Sequence, residues 1–365
     1  MPCSGEAALT SSPLKKVLLA YHDKIPLMRY MKPAFERQGI AVITFDVNAN
    51  MSWVDRFFFK RINKIAHNLR IIPKSRKLFG EHPLSHRNYY NSRLRAVIEQ
   101  EQPDLLFIVR GIDYEPSSYA PAPCRFAWWI ESEDGLAEAY AEAAHFQHYF
   151  FISQSGVEGA RQRGLQQVSY LPHGVDPSVF QPQAIERDID VGFVGFWSPR
   201  RQRYLEAVLD VTRHVVIYGP RWWKNTWRLR RFWRIVRGRA IHGDRLVHFY
   251  NRCKLVLNVT NWGEDGGPLR SGMNMRLFEV PATGRPLLTD RCRELDSSFL
   301  PGQELAVFDS PEELREQVQY YLEHAAAREA MAAAGRQRVL ASASYDLMIA
   351  RICAAYEDWR TRQKP

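Results

Sequence analysis

The chain has no run of apolar residues approaching the ~18 that a membrane-spanning helix needs; its best, Leu105 to Val109, reads as a short strand. It also lacks paired cysteines. The five present (Cys3, Cys124, Cys253, Cys292, Cys353) are odd in number, widely scattered and never spaced Cys-x-x-Cys. That excludes a disulfide framework and a cysteine-held zinc site, and points to a reducing compartment. His82 with His86, and His145 with His148, lack the third ligand and the offset glutamate of a zinc hydrolase. No helix-turn-helix, zinc-finger, RNA-recognition or KH signature is present, so nucleic acid is not an expected partner. Met1 to Ser12 has neither a basic nor an apolar region of the signal-peptide kind, so a cytoplasmic location is expected.

What is present suffices for two packed cores. The 365 residues are 45% hydrophobic and 12% aromatic, against a prior of about 150 residues per domain. The formal charge of +10 calls for an anionic partner. Its cations concentrate in two places. One lies between Arg56 and Arg87, interleaved with Trp53, Phe57, Phe58, Phe59 and Phe79. The other runs from Arg221 to Arg239 with eight Lys/Arg and no acid. There Trp222, Leu229, Trp233 and Val236 fall at i, i+7, i+11 and i+14, the stripe of a basic amphipathic helix. Such a helix suits a peripheral contact with the inner face of an anionic membrane; the plainer reading is a core-facing element with a solvated basic back.

Strands and helices alternate along the chain, which argues for parallel sheets covered on both faces. Strands are expected at Val17–Tyr21, Ala41–Phe45, Leu105–Val109, Phe126–Ile130, Tyr149–Ile152 and Val168–Leu171. After a polar linker, Gln181 to Asp188, a second series follows at Val191–Gly195, Val215–Gly219, Leu255–Val259 and Pro286–Thr289. Helices are expected over Tyr204–Val211, Pro311–Leu322, Ala325–Leu340 and Tyr345–Trp359. The expected domains are residues 1–180, 188–342 and a final helical segment, 343–362.

The stretch Gly272 to Asp290 carries the most chemistry. Arg276 and Glu279 stand at i and i+3, on one face of a helix that Gly284 would stop. A carboxylate and a guanidinium at a helix start suit a ligand with vicinal hydroxyls and phosphates, such as a nucleotide-sugar. The plain alternative is a surface salt bridge. Two similar α/β domains would put a cleft between them for such a ligand.

Several further segments follow in a recognisable order. They are Tyr170 to Asp176, Gly192-Phe193-Val194-Gly195 with Arg200 and Arg201, Tyr218 to Trp222, Leu257-Asn258, Asn274-x-Arg276-x-Phe278-Glu279 and Gly302-Gln303-Glu304. Tyr320-Tyr321-Leu322, Gly335-x-x-Arg338-Val339 and Ser344-Tyr345 complete the series. The ordered set resembles the CgeB-like (spore-maturation-type) glycosyltransferases of the GT-B superfamily, well over residues 165–350 and in outline before them. The resemblance implies two Rossmann-like, doubly wound domains facing each other across a cleft, with the C-terminal helix crossing back to the first. It implies that Glu279 holds the ribose of a nucleoside-diphosphate sugar. Arg276, Asn274, Gly195, Arg200, Arg201 and Gly219 would line the donor site, with no metal and no separate cofactor. The acceptor would be a cell-surface glycan or a lipid-linked precursor. Gly263 to Gly272 would be a loop able to close over the donor.

One departure stands out. Related retaining enzymes carry a second glutamate seven or eight residues before the ribose-binding one, where this chain has Ser271 and Gly272. That leaves the sugar-contacting carboxylate unassigned, or supplied by Glu264 or Asp265, and leaves the stereochemistry open. Candidates for a catalytic base at strand ends are His22, Asp23, Glu131 and Asp134, with His173 at the domain junction. Asp134 could instead cap a helix. Two other readings stay open: a non-catalytic envelope scaffold of the same fold, and a metal-dependent GT-A transferase using Asp188 and Asp190.

Overall fold

A computed structural model of the chain describes residues 14–22, 27–73, 75–110, 114–131, 133–261 and 267–363. The chain divides into two compact units. One comprises residues 1–151, 156–171 and 349–365, and the other residues 152–155 and 172–348.

The first unit is built on β1 (Lys16–Tyr21), β2 (Ala41–Asp46), β3 (Leu105–Val109), β4 (Arg125–Trp129), β5 (His148–Phe151) and β6 (Val168–Tyr170). They form one parallel sheet in the order β2-β1-β3-β4-β5-β6. All five residues of β3 are buried, as a central strand covered on both faces requires. Leu18, Leu106, Ala127 and Tyr149 pack with Leu94 and Ile98 of the helix His86–Glu101 on one face. The final helix, Tyr345–Arg362, brings Ile349, Ile352, Cys353 and Tyr356 into burial. Cys353 Sγ lies 3.9 Å from Gln38 Oε1, and Arg362 donates to Gln167 at 2.7 Å.

The second unit repeats the scheme with β7 (Ile189–Val194), β8 (Val215–Tyr218), β9 (Val236–Gly238), β10 (Cys253–Asn258), β11 (Leu287–Asp290) and β12 (Ala306–Phe308). Its order is β12-β11-β10-β7-β8-β9, again parallel. The chain goes from β7 to β8 and β9 on one side, then returns to β10 on the other. Connections therefore diverge between the carboxyl ends of β7 and β10, the crevice where open α/β sheets bind ligands.

The long amphipathic helix expected across Trp222 to Val236 does not form. A five-residue helix, Trp222–Thr226, is followed by a 3-10 turn at Arg230–Phe232 and then by β9. Trp222, Phe232 and Val236 enter the core with Ile217 and Leu257, whereas Trp233 is half exposed. Trp222 stacks on Phe232 and meets Phe193 edge-on, each at 5.9 Å. The edge strand took Val236 and the core took Trp222 and Phe232, so packing outweighed the helical spacing.

Candidate functional site

The loop after β7 is shaped by close backbone approach. A Cβ on Gly219 would stand 1.8 Å from the Gly195 carbonyl oxygen, so the loops following β7 and β8 touch only because Gly219 has none. The same carbonyl accepts from Trp222 Nε1 at 2.8 Å. The helix Pro199–Val211 then begins with Ser198 as its cap, Oγ accepting from the Arg201 amide at 3.3 Å. A cavity of about 460 Å³ opens beside these loops, lined by Trp197, Ser198, Arg221, Lys224, Asn225 and Asn261 among others. Arg221 and Lys224 thus face a cavity rather than one side of a long helix.

Asn258, at the carboxyl end of β10, is the hub. Fully buried, it donates to Thr289 Oγ1 at 2.9 Å, and its Oδ1 accepts from Arg276 Nη1 at 2.7 Å and Asn274 Nδ2 at 3.0 Å. Asn274 Oδ1 in turn accepts from the Arg276 amide at 3.1 Å, opening the helix Arg276–Ala282. One turn on, Glu279 is 5% exposed. Burial raises its carboxyl to about pH 7, an effect partly offset by the Arg276 charge and a hydrogen bond with Tyr250. Burial, with Glu279 adding to it, keeps the Tyr250 hydroxyl protonated. The pair Arg276 and Glu279 is therefore not a surface salt bridge. It is a buried carboxyl with a cation beside it at a sheet switch point.

Arg200 and Arg201 divide. Arg200 reaches the end of β11, donating to Asp290 Oδ2 at 2.6 Å and to the Thr260 carbonyl at 2.9 Å. Asp290 also accepts from the Thr260 amide and hydroxyl. Arg201 is buried, and its Nε and Nη1 donate to the carbonyls of Val259 and Phe196. Burial, with Arg276 adding to it, pushes its guanidinium down to about 9. Those two bonds tie the loop after β7 to the loop after β10.

Ser271 and Gly272, where the sequence lacks a glutamate, hold one from elsewhere. The Ser271 hydroxyl and the Gly272 amide (2.7 Å) donate to Glu294, which also accepts from the Gln154 amide at 2.8 Å. Glu294 has no exposed surface. It fixes the approach to the Arg276 helix, and the sequence offered no sign of it, because its partners are 22 to 140 residues away. Tyr250 was missed for the same reason. Glu264 and Asp265 lie outside the described residues, as do Gly263 and Gly266.

In the first unit, Asp23 lies outside the described residues. His22 follows β1, its ring edge-on to Tyr90 and Tyr114 at 6.4 and 6.2 Å. It lines a hollow of about 20 Å³ with Arg110 and Ile130, room for a single water. Glu131 pairs with Arg110 at 3.1 Å. Asp134 is exposed in a 3-10 turn, and the next helix, Leu136–Ala143, takes Gly135 as its cap. Within the unit, His22 and Glu131 thus share Arg110 as a neighbour, and Asp134 stands apart at the surface. In the second unit, His173 is buried, which lowers its pKa to about 4. Asp188 pairs with Arg252, and Asp190 with Lys254 at 2.8 Å and Thr212 at 2.6 Å. Cations of the chain itself neutralise that aspartate pair.

Residues 200–354 match a family model described as glycosyl transferase-like, which takes in Arg276, Glu279 and Asn258. No curated protein sequence matches the chain. Among solved structures, the sucrose-phosphate synthase of Thermosynechococcus elongatus superposes with a TM-score of 0.66 at 12% identity, covering 96% of this chain and 100% of its own. HepE of Anabaena, solved with UDP and glucose, gives 0.63 at 12% identity, covering 94% and 99%. A glycosyltransferase of Rickettsia africae gives 0.65 at 10% identity, covering 97% and 100%. The chain therefore has the α/β, two-sheet fold of these GT-B structures, and its residues 200–354 are similar to a glycosyl transferase-like domain.

Proposed function

We propose that this protein is a glycosyltransferase that moves a sugar from a nucleoside diphosphate to a cell-surface glycan or glycan precursor. The observation that carries the reading is the buried Glu279 carboxyl, one helical turn from Arg276, at the switch point of the second sheet. Glu279 accepts the ribose hydroxyls, and Arg276, held at the mouth of β10 by Asn258, meets the diphosphate. Arg200 and the amides opening the Pro199–Val211 helix add to the neutralisation, so turnover needs no metal. The UDP and glucose bound by HepE support a donor of this class. The order of motifs supports the narrower CgeB-like assignment. His22 and Glu131, at strand ends of the first unit, are the preferred base candidates. The location is cytoplasmic, with a peripheral membrane contact near a lipid-linked acceptor.

Calorimetry with UDP-, GDP-, dTDP- and CMP-sugars tests the reading. One donor is expected to bind, and Glu279→Ala to weaken it ten- to a hundredfold, for about 1.5–3 kcal/mol of charged hydrogen bonding. Arg276→Ala should cost more with the diphosphate than with the nucleoside. Equal affinity in Glu279→Ala would remove the ribose assignment. Turnover that EDTA abolishes and Mn²⁺ restores would return Asp188 and Asp190 to consideration. A bound donor with no transfer or hydrolysis would favour the scaffold reading, which the Ser271–Glu294 bond keeps in view.

A further inference from the structure

The first basic-aromatic segment, unlike the second, forms one continuous helical run. It extends from Trp53 to Asn68, with a π-helical turn at Asp55–Phe59 and an α-helix over Lys60–Asn68. Its polarity is inverted. The face turned to the unit buries only Asp55, Phe59 and Ala66, whereas Trp53, Phe57, Phe58, Ile62, Ile65 and Leu69 are 40 to 66% exposed. A helix that needed its apolar side for folding would bury these six.

The π turn explains how so many face one way. Its extra residue lets the adjacent Phe57 and Phe58 both point outward, while Phe59 turns in to stack on Phe79 at 4.5 Å. The helix is then clamped from beneath. Asn63 donates to the carbonyls of Phe59 and Leu78 and accepts from the Leu78 amide at 2.7 Å. The exposed stripe is therefore held in place.

We infer that this helix lies in the interface of an anionic lipid bilayer, its six outward apolar side chains in the acyl boundary. Charge selects that occupant. Arg56, Arg61 and Lys64 are exposed between the apolar residues, Arg56 and Arg61 lie 5.7 and 5.9 Å from the Phe57 ring, and Lys60 turns back to pair with Asp55 at 3.8 Å. Their aliphatic stems can follow the rings inward while the charges reach lipid phosphates. Asp55, the acid of this helix, is buried on the opposite side. The inference deepens the peripheral-membrane part of the proposed function, and is separable from the donor assignment because Glu279 belongs to the other unit.

Co-sedimentation with vesicles of phosphatidylcholine, with and without an equal share of phosphatidylglycerol, tests it. The full chain is expected to pellet with the anionic vesicles at 50 mM salt. It should bind neutral vesicles or 0.5 M salt at least about tenfold more weakly, as screened charge requires. A Phe57→Ser/Phe58→Ser/Ile65→Ser/Leu69→Ser variant, altered only at exposed positions, should lose binding to both lipids. Arg56→Glu/Arg61→Glu/Lys64→Glu should lose the anionic preference. Donor affinity, measured on the same preparations, should stay within about twofold of wild type, which separates a folding fault from a lipid effect. Three results would overturn the inference: no pelleting at low salt, undiminished pelleting of the Ser variant, or a wild-type dimer that this variant makes monomeric.

Discussion

A carboxyl group that titrates near pH 7 changes what it can hold within the physiological range. Protonated, Glu279 donates one hydrogen bond; ionised, it accepts from two hydroxyls. Burial is what raises it, so the ionised form is available but strained until a ligand supplies donors. Affinity for a nucleotide-sugar, whose diphosphate does not titrate in this range, is expected to rise about tenfold from pH 6 to pH 8. In Glu279→Gln the profile should be flat. A flat wild-type profile would mean that the carboxyl does not meet the ligand. Stability without ligand should move the other way. The folded pKa lies above the unfolded one, so the folded state holds the proton more tightly. Wild type should then lose stability relative to Glu279→Gln as pH rises from about 4.5 through 7. Thermal melts across that window read the sign directly.

At the scale of elements, the two tryptophan-rich segments show what sequence pattern could and could not convey. Trp222 is fully buried, whereas its neighbour Trp223 is half exposed. Trp222→Ala is expected to cost about 3–5 kcal/mol, as large-to-small core changes do, and Trp223→Ala under about 0.5. Similar losses in denaturant melts would contradict that placement. Most strands were legible because apolar runs such as Leu105–Val109 and Leu255–Leu257 carry their own signal. The three-residue β9 was not, since arginines flank Val236 and its pairing with β8 is long-range. The same limit applies within the site. Glu279 and Arg276 were legible because local helical spacing joins them, while Tyr250 and Glu294 become partners only through the fold. Nor does anything local show that the carbonyls of Val259 and Phe196 will accept from the Arg201 guanidinium.

At the scale of the whole chain, the final helix belongs to both units. Residues 345–348 stay with the second unit, where the Tyr345 amide donates to the Val175 carbonyl at 3.0 Å, whereas 349–365 join the first. Ile349, Ile352, Cys353 and Tyr356 follow i, i+3, i+4 and i+7, a single buried stripe. Each such side chain is worth about 1.5–3 kcal/mol when fully buried, comparable in sum with the whole stability of a domain. A chain ending at Met348 should therefore lose the cooperative unfolding transition of the first unit. The second unit keeps its core, its switch-point crevice and Glu279, and should still be stabilised by a nucleotide-sugar. Differential scanning calorimetry with and without the donor separates the two transitions. A truncated chain whose first unit melts unchanged would show that the helix is an appendage. Loss of the donor-induced shift would show instead that the nucleotide site depends on the helix.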